Sequence, residues 1–271
     1  MADVTAIAST AGPGLIGGLM TGVMYGRALA VARGLPWLGI NHLEGHALTA
    51  RLTDKVAFPY LLLLISGGHT QLLEIRKVGD YRRLGTTIDD AAGECFDKSA
   101  KLLGLGYPGG PALDRAAAKG NSAAFALPHP LKGRPGCDFS FSGLKTAVRN
   151  EVARAGDMTP GLQADLAASI QLAITETLID RVGHALAMTE VQPTALVVSG
   201  GVAANSMIRS RLEALAAAHG LPFVAPPLKL CGDNAAMIAW AAVERLQSGV
   251  GAEDDGHPRP RWSLDTRLPT A

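Results

Sequence analysis

Cysteine is scarce in this sequence: Cys95, Cys137 and Cys231 are the three present in 271 residues, and no two of them form a Cys-x-x-Cys pair. A disulfide framework is therefore excluded, and this cysteine usage is typical of a reducing compartment. Charge is low and balanced, with 25 basic and 24 acidic residues and a net charge of +1. That balance excludes a uniformly basic surface, so any contact with nucleic acid must be local.

Long uninterrupted apolar segments are also missing. Residues 4–26 carry no charge, but Gly12-Pro13-Gly14 interrupts them, whereas a membrane span needs about 20 continuous helical residues. Asp3 stands where a signal peptide would carry a positive charge. The sequence therefore predicts a cytoplasmic protein without membrane contact. The Walker A pattern GxxxxGK[ST] and the GxSxG nucleophile elbow are absent as well, which excludes those two enzyme classes.

Apolar residues make up 48% of the chain, enough for a sizeable core, and strand patterns alternate with helix patterns, which indicates an α/β fold. The predicted strands cover residues 4–10, 36–41, 60–65, 71–75, 84–88, 195–198 and 222–225. The predicted helices cover residues 15–33, 42–52, 90–103, 111–119, 144–154, 161–187, 204–219 and 234–247. The tail from residue 248 is rich in Gly, Pro and charge, and we expect it to be mobile or to lie along the surface.

Two strands end in the same motif. Residues 66–68 and residues 199–201 both read Ser-Gly-Gly directly after a buried apolar run. Glycines at such a position let the backbone approach a ligand closely, and successive N–H groups form a nest for an anion. One such loop is consistent with a simple strand end, whereas two in one chain favour nucleotide or phosphate binding.

A second motif places two imidazoles four residues apart, at His42 and His46. On a helix these side chains share a face and can reach one metal ion, which is Fe, Zn, Cu or Ni on chemical grounds. Glu44 is not adjacent to His42, so the protease pattern HExxH is absent. A third ligand must come from elsewhere. Asp233 is equally explained as the N-cap of the last helix, and Cys231 is a rival ligand two residues away.

A local basic stretch consists of Lys132, Arg134, Lys145 and Arg149. Two interpretations stay open at this point. The stretch faces a phosphate backbone, or it is an ordinary solvated loop and helix.

The ordered motifs together resemble the TsaD family of tRNA N6-adenosine threonylcarbamoyltransferases, along nearly the whole chain. The matching segments are residues 10–15 (TAGPGL), 41–46 (NHLEGH), 66–70 (SGGHT), 89–94 (DDAAGE), 96–98 (FDK), 107–111 (YPGGP), 139–145 (FSFSGLK), 199–205 (SGGVAAN) and 233–234 (DN).

The resemblance implies an actin-like ATPase (ASKHA-type) fold with two lobes and the ligand in the cleft between them. It implies transfer of a threonylcarbamoyl group from threonylcarbamoyl-AMP to the N6 amine of adenosine 37, in tRNAs that read codons beginning with A, with release of AMP. It also implies accessory subunits of the bacterial TsaB and TsaE type. No catalytic base is assigned.

The resemblance further assigns the site. His42, His46 and Asp233 match the family's metal ligands, which hold one Fe²⁺ per chain, with Zn²⁺ as the alternative. The positions that match those holding the adenylate substrate are Leu64, Ile65, Ser66, Gly67, Gly68, Asp97, Gly110, Asp114 and Asn205.

Family members open with a further segment ahead of the loop at residues 10–15, whereas Met1 precedes that loop closely here. We therefore expect an incomplete first lobe in residues 1–57, a second lobe in residues 58–247 and a C-terminal tail in residues 248–271. Because the first lobe is expected to be incomplete, we expect the chain expressed alone to be partly aggregated or oligomeric and to show little transferase activity.

Two alternatives to the transferase accompany these expectations. One is a non-catalytic, nucleotide-binding partner subunit of the same tRNA-modification complex. The other is a zinc peptidase suggested by the two histidines, which lacks the glutamate adjacent to His42 that would activate water.

Overall fold

The computed structural model describes residues 3–251 and 256–266. The strands within these ranges are β1 (Ile7–Gly12), β2 (Trp37–Asn41), β3 (Tyr60–Ile65), β4 (Thr70–Lys77), β5 (Asp80–Thr86), β6 (Leu196–Ser199) and β7 (Phe223–Val224). The helices are α1 (Ile16–Arg33), α2 (His42–Asp54), α3 (Ala92–Leu102), α4 (Gly109–Ala117), α5 (Ser142–Ala155), α6 (Pro160–Met188), α7 (Ser206–Ala218), α8 (Leu228–Cys231) and α9 (Ala235–Ser248). A short 3₁₀ turn, Gly201–Ala204, precedes α7.

The large sheet has the strand order β5-β4-β3-β6-β7, with β3 at its centre. Strand β3 is antiparallel to β4 and parallel to β6, and all six of its residues are buried. Its side chains alternate between two cores, as the two-residue period of a strand requires. Leu61, Leu63 and Ile65 join the core formed with α3, α5, α6 and α7. Tyr60, Leu62 and Leu64 join the core formed with α2.

The small sheet pairs β1 with β2 in parallel. Apolar residues of β2 and α2 pack with α9, among them Ile40, Leu48 and Met237. Helix α9 therefore lies against the small sheet, although the predicted unit 58–247 includes it. We retain the division into two lobes as a proposal, with α9 packed on the first.

Residues 256–266, called here the C-terminal strap, pack along the surface. Trp262 is buried, and its carbonyl accepts a bond from Asn41 Nδ2 at 3.4 Å. The backbone N–H of Arg259 donates to the carbonyl of Ala11 in β1 at 2.7 Å. The rest of the predicted tail, residues 252–255 and 267–271, lies outside the described residues.

The strap also reaches the large sheet. The backbone N–H of Thr266 donates to the carbonyl of Tyr81 in β5 at 3.1 Å. Asp265 Oδ2 accepts from the backbone N–H of Arg83 at 3.2 Å. One segment therefore contacts both sheets.

Most predicted elements agree with the structure within a few residues, and three differ. The strand predicted at 84–88 is wrong in its bounds, since β5 runs from Asp80 to Thr86. Strand β1 begins at Ile7 rather than at residue 4, and α8 was not predicted. Over residues 3–251 and 256–266, no helix has both the length and the hydropathy that crossing a membrane would require.

Candidate functional site

The histidine pair lies on the first turns of α2. This helix begins at His42, and Asn41 Oδ1 caps it by accepting a bond from Leu43 N at 2.9 Å. With that start, His42 and His46 fall on one face. Their rings meet edge to face, with centroids 4.9 Å apart.

Asp233 completes the cluster from the turn before α9. Its Oδ1 lies 3.2 Å from His42 Nε2 and 3.1 Å from His46 Nε2. The interpretation of Asp233 as a helix cap is wrong, because Asn234 Oδ1 makes that bond, to Met237 N at 2.9 Å. The Asp233 side chain, 76% exposed, is therefore available to the histidines.

Cys231, the rival ligand, lies apart from this cluster. Its thiol is buried and lies 3.1 Å from the carbonyl oxygen of Pro226. Burial raises the pKa of this thiol, which opposes the thiolate form that binds metal.

The chemistry of the donor set fits a transition-metal ion. The ligand atoms of His42, His46 and Asp233 all lie within 4.8 Å of one another. Burial, followed by the nearby charge of His42, lowers the pKa of His46 to about 4, although Asp233 opposes the shift. The His46 imidazole is thus neutral at pH 7, which is the form that coordinates a metal. Two imidazoles and one carboxylate suit Fe²⁺ and Zn²⁺ alike.

His69 lies near this cluster at the end of the first Ser-Gly-Gly loop. Its pKa is lowered, first by burial and then by the charge of His42, while Asp233 raises it. The loop is closed by two bonds between Ser66 and His69. Ser66 N donates to the His69 carbonyl at 2.8 Å, and His69 N donates to Ser66 Oγ at 3.1 Å. The same loop supplies Gly67 to a neighbouring cleft.

That cleft has a volume of about 410 Å³, in the range of small-molecule sites. It brings together five of the predicted adenylate-binding residues: Gly67, Asp97, Gly110, Asp114 and Asn205. The residues that the resemblance did not assign to it are Gly93, Phe96, Pro108, Pro111, Arg115, Gly201, Val202 and Ala204.

The other four predicted positions lie at or beside the end of β3. Leu64 and Ile65 are fully buried, and their side chains pack into the two cores. Only the backbone of these two residues is therefore left to meet a ligand. The Ser66 hydroxyl is engaged by His69 N, and Gly68 is exposed.

A hydrogen-bond network holds Asp114 in the cleft. Its Oδ1 accepts bonds from Gln171 Nε2, Asn205 Nδ2 and Ser206 Oγ, each at 3.1 Å. Asn205 also caps α7, since its Oδ1 accepts from Ile208 N. These three donors therefore fix the orientation of the Asp114 side chain.

The two Ser-Gly-Gly loops meet because β3 and β6 are parallel neighbours whose carboxyl ends lie at one edge of the sheet. Gly200 has a φ of 98°, and a Cβ there would lie 2.3 Å from the Ile65 carbonyl oxygen. A Cβ at Gly93 would lie 2.4 Å from the Ser66 carbonyl oxygen. Glycine is required at both positions because backbone approaches backbone.

Glu44, between the two histidines in sequence, is fully buried behind them. Its Oε1 accepts from Tyr81 Oη at 2.6 Å, and its Oε2 accepts from Arg245 Nε at 2.7 Å. The carboxylate is therefore committed to the core and is not placed to activate a water molecule.

The sheet topology and the cleft at the strand ends define an α/β protein with an actin-like ATPase-type fold. Two solved structures share this fold. The structure of HypF from T. kodakarensis has a TM-score of 0.66 and 17% identity, over 91% of this chain and 41% of that one. Full-length HypF in its phosphate- and nucleotide-bound form has a TM-score of 0.63 and 12% identity, over 86% of this chain and 45% of that one.

The sequence comparisons identify the family within that class. A family model described as tRNA N6-adenosine threonylcarbamoyltransferase matches residues 1–240. The chain is 58% identical to the enzyme of that name from Brucella anthropi, over 98% of this chain and 76% of the relative. It is also 58% identical to the enzyme of that name from Rhizobium meliloti, over 97% of this chain and 75% of the relative. The chain belongs to the family of tRNA N6-adenosine threonylcarbamoyltransferases.

Proposed function

We propose that this chain transfers a threonylcarbamoyl group from threonylcarbamoyl-AMP to the N6 amine of the adenosine that follows the anticodon in tRNA. The family match over residues 1–240 carries this proposal, together with relatives 58% identical that bear the name of this activity. We place the reaction in the cytoplasm, in keeping with three cysteines that are free and buried.

The reaction is an acyl transfer. The N6 nitrogen attacks the carbamoyl carbon, the bond from that carbon to the phosphate oxygen breaks, and the nitrogen gives up one proton to solvent. AMP leaves with an additional negative charge, which backbone N–H groups of the two Ser-Gly-Gly loops are suited to stabilise. We assign catalysis to positioning and electrostatics rather than to a side-chain base.

The cleft residues supply the positioning. We propose that Asp114, held through Oδ1 by three donors, accepts a ribose hydroxyl through Oδ2. Asp97 fixes the neighbouring glycine turn, since its Oδ1 accepts from Gly109 N at 2.9 Å. Gly67, Gly110 and Gly201 line the cleft without a Cβ, which lets the adenylate lie directly on the backbone.

We propose that His42, His46 and Asp233 hold one Fe²⁺, with Zn²⁺ as the alternative. Such an ion supplies Lewis-acid polarisation of an oxygen atom. The neutral state of His46 and the exposed Asp233 carboxylate support this assignment. A metal site close to the adenylate cleft is supported by the loop that joins Gly67, which lines the cleft, to His69, whose pKa is lowered in part by the charge of His42.

Accessory subunits of the TsaB and TsaE type are part of the proposal. Helix α1 buries Leu19 and Val23 but exposes a long apolar surface. Its members are Leu15, Ile16, Met20, Met24, Tyr25 and Val31. Exposed apolar patches of this kind mark protein interfaces. We therefore assign this face to a partner subunit.

The experiment uses a bacterial strain in which this chain is the sole copy of the transferase. Mass spectrometry quantifies threonylcarbamoyladenosine in the tRNA of that strain. We expect the modified nucleoside with the unaltered chain and with Asp157→Ala, an exposed acid outside the cleft. Asp114→Ala should lower its level at least tenfold. Modification that persists without any copy of the chain would favour the non-catalytic partner subunit, and complete absence of the nucleoside with the unaltered chain would contradict the transferase.

A further inference from the structure

A groove beside the adenylate cleft is lined by cations from two helices. Lys98 and Lys101 come from α3, and Lys145 and Arg149 come from α5, around a volume of about 460 Å³. The other two lining residues are Leu102 and Thr146, so no acidic side chain lines this groove. In a chain with a net charge of +1, four cations in one groove are a local concentration of charge.

Two of the four cations are fixed by acidic neighbours. Lys98 Nζ lies 3.1 Å from Asp90 Oδ1 and 2.5 Å from Glu94 Oε1, and Lys145 Nζ lies 2.8 Å from Asp90 Oδ2. These two carboxylates neutralise two charges and hold both ammonium groups in place. The groove therefore keeps an excess of two positive charges.

That excess resides on Lys101 and Arg149. Both side chains are exposed, and neither forms an ion pair within the described part of the chain. Exposed cations that form no ion pair are free to neutralise the charge of a ligand without first giving up an existing partner.

The groove adjoins the adenylate cleft through α3. On this helix, Phe96 and Asp97 line the cleft. Lys98 and Lys101, which follow them in the chain, line the groove. The cleft and the groove therefore share α3 as a common wall.

We propose that this groove binds the sugar–phosphate backbone of the tRNA whose adenosine enters the cleft, a proposal that rests on the proposed function. Lys and Arg contacts to phosphates supply most of the affinity for a nucleic acid and make it depend on salt. Such contacts also set the register of the polymer on the protein. Lys101 and Arg149, which carry the excess charge, bind phosphates. Lys98 and Lys145, which are held by their ion pairs, form the wall of the groove between Lys101 and Arg149.

The test measures the affinity of the full chain for an unmodified tRNA transcript by fluorescence anisotropy between 50 and 200 mM KCl. The variant is the double charge reversal Lys101→Glu with Arg149→Glu. The matched control reverses two other exposed cations, Arg33 and Lys77, which lie outside the groove. Thermal unfolding is measured for both, and the exposed positions should leave the Tm unchanged.

We expect the groove variant to bind the transcript at least tenfold more weakly at 100 mM KCl. The slope of log affinity against log salt should fall by about 2, since each lost phosphate contact contributes about 0.9. The control should stay within about twofold of the unaltered chain. AMP binding, measured by calorimetry, should be the same in all three proteins.

Three results would overturn the proposal: no binding of tRNA by the unaltered chain, an affinity of the groove variant equal to that of the unaltered chain, or equal losses of affinity in the groove variant and the control. The second result is also what a groove that binds an acidic protein would give. A groove variant that loses tRNA affinity, in a chain that shows no transfer, would refute the proposed function and leave the groove assignment standing.

Discussion

Glu44 Oε2 and Arg245 Nε lie 2.7 Å apart, although the two residues are separated by 201 positions in the chain. The side chains are 0% and 3% exposed, so the ion pair is buried. It joins α2, which carries His42 and His46, to α9, whose start carries Asp233. The core contact thereby sets the separation between the two elements that hold the proposed metal ligands.

Replacing Arg245 by Leu should destabilise the fold strongly. The substitution removes one charged partner of the buried Glu44 carboxylate, and the loss of one member of a buried ion pair costs about 3–5 kcal/mol. The matched control is Arg154→Leu, which removes an exposed pair with Glu151 and should cost about 0.5 kcal/mol or less. Urea unfolding of both variants measures the difference in the free energy of unfolding. Equal losses in the two variants would show that the buried ion pair stabilises the fold no more than the exposed pair does.

Replacing His46 by Ala should remove the metal. Two remaining ligands do not hold an ion firmly against water, so the affinity for Fe²⁺ or Zn²⁺ should fall at least tenfold. The control is His219→Ala, at an exposed histidine outside the cluster. Elemental analysis after loading and dialysis gives the metal content. Stoichiometric metal in the His46 variant would refute the ligand assignment.

The stability of the metal-free protein should depend on the protonation of His46. Its pKa of about 4 in the folded protein lies below the ordinary 6.5, so the unfolded chain takes up this proton first. The contribution to the free energy of unfolding is complete above pH 6.5 and is lost as the pH falls towards 4, by about 3 kcal/mol in all.

The measurement is urea unfolding between pH 7.5 and 4.5 in the presence of a chelator. His46→Gln serves as the reference, because it removes the imidazole and leaves the titratable groups outside the His42, His46 and Asp233 cluster unchanged. The unaltered protein should lose stability more steeply below pH 6.5 than the variant. Parallel curves would mean that the folded state does not depress this pKa.

Replacing Gly201 by Val should close part of the adenylate cleft. Gly201 lines the cleft, and a Cβ there meets nothing within 4 Å. The valine side chain is therefore accommodated by the fold but occupies ligand space, and AMP affinity should fall at least tenfold. Gly143→Val, in α5 with equally open surroundings, is the control. Calorimetry measures the affinity, and metal content should stay unchanged in both.

The large sheet was predictable because its central strands are apolar runs. The run at 60–65 is too short for a core helix, and β3 has those bounds. Strand β5 was misplaced because Arg82 and Arg83 interrupt its apolar pattern. Arg82 is compensated by Glu74 on the neighbouring strand β4 at 3.5 Å and by Glu190, which is distant in sequence, at 2.9 Å. Local periodicity carries no record of such long-range pairing.

The candidate site also has a part that the local sequence predicts and a part that it does not. The facing of His42 and His46 follows from their spacing alone, since i and i+4 share a helix face. Their approach to Asp233, 187 positions from His46, came from the family resemblance. Glu44 carried no local sign that it turns into the core, because its partners Tyr81 and Arg245 belong to other elements. Arg115 in the cleft was likewise indistinguishable from an ordinary surface arginine.

The C-terminal strap has a mechanical consequence for any closure of the cleft. Domains that close around a ligand rotate about a hinge. Here Arg259 is bonded to Ala11 in the small sheet, and Thr266 is bonded to Tyr81 in the large sheet. The few residues between these anchors reach at most about 3.5 Å each. The strap therefore limits how far the two sheets can move apart. It still permits one sheet to slide past the other.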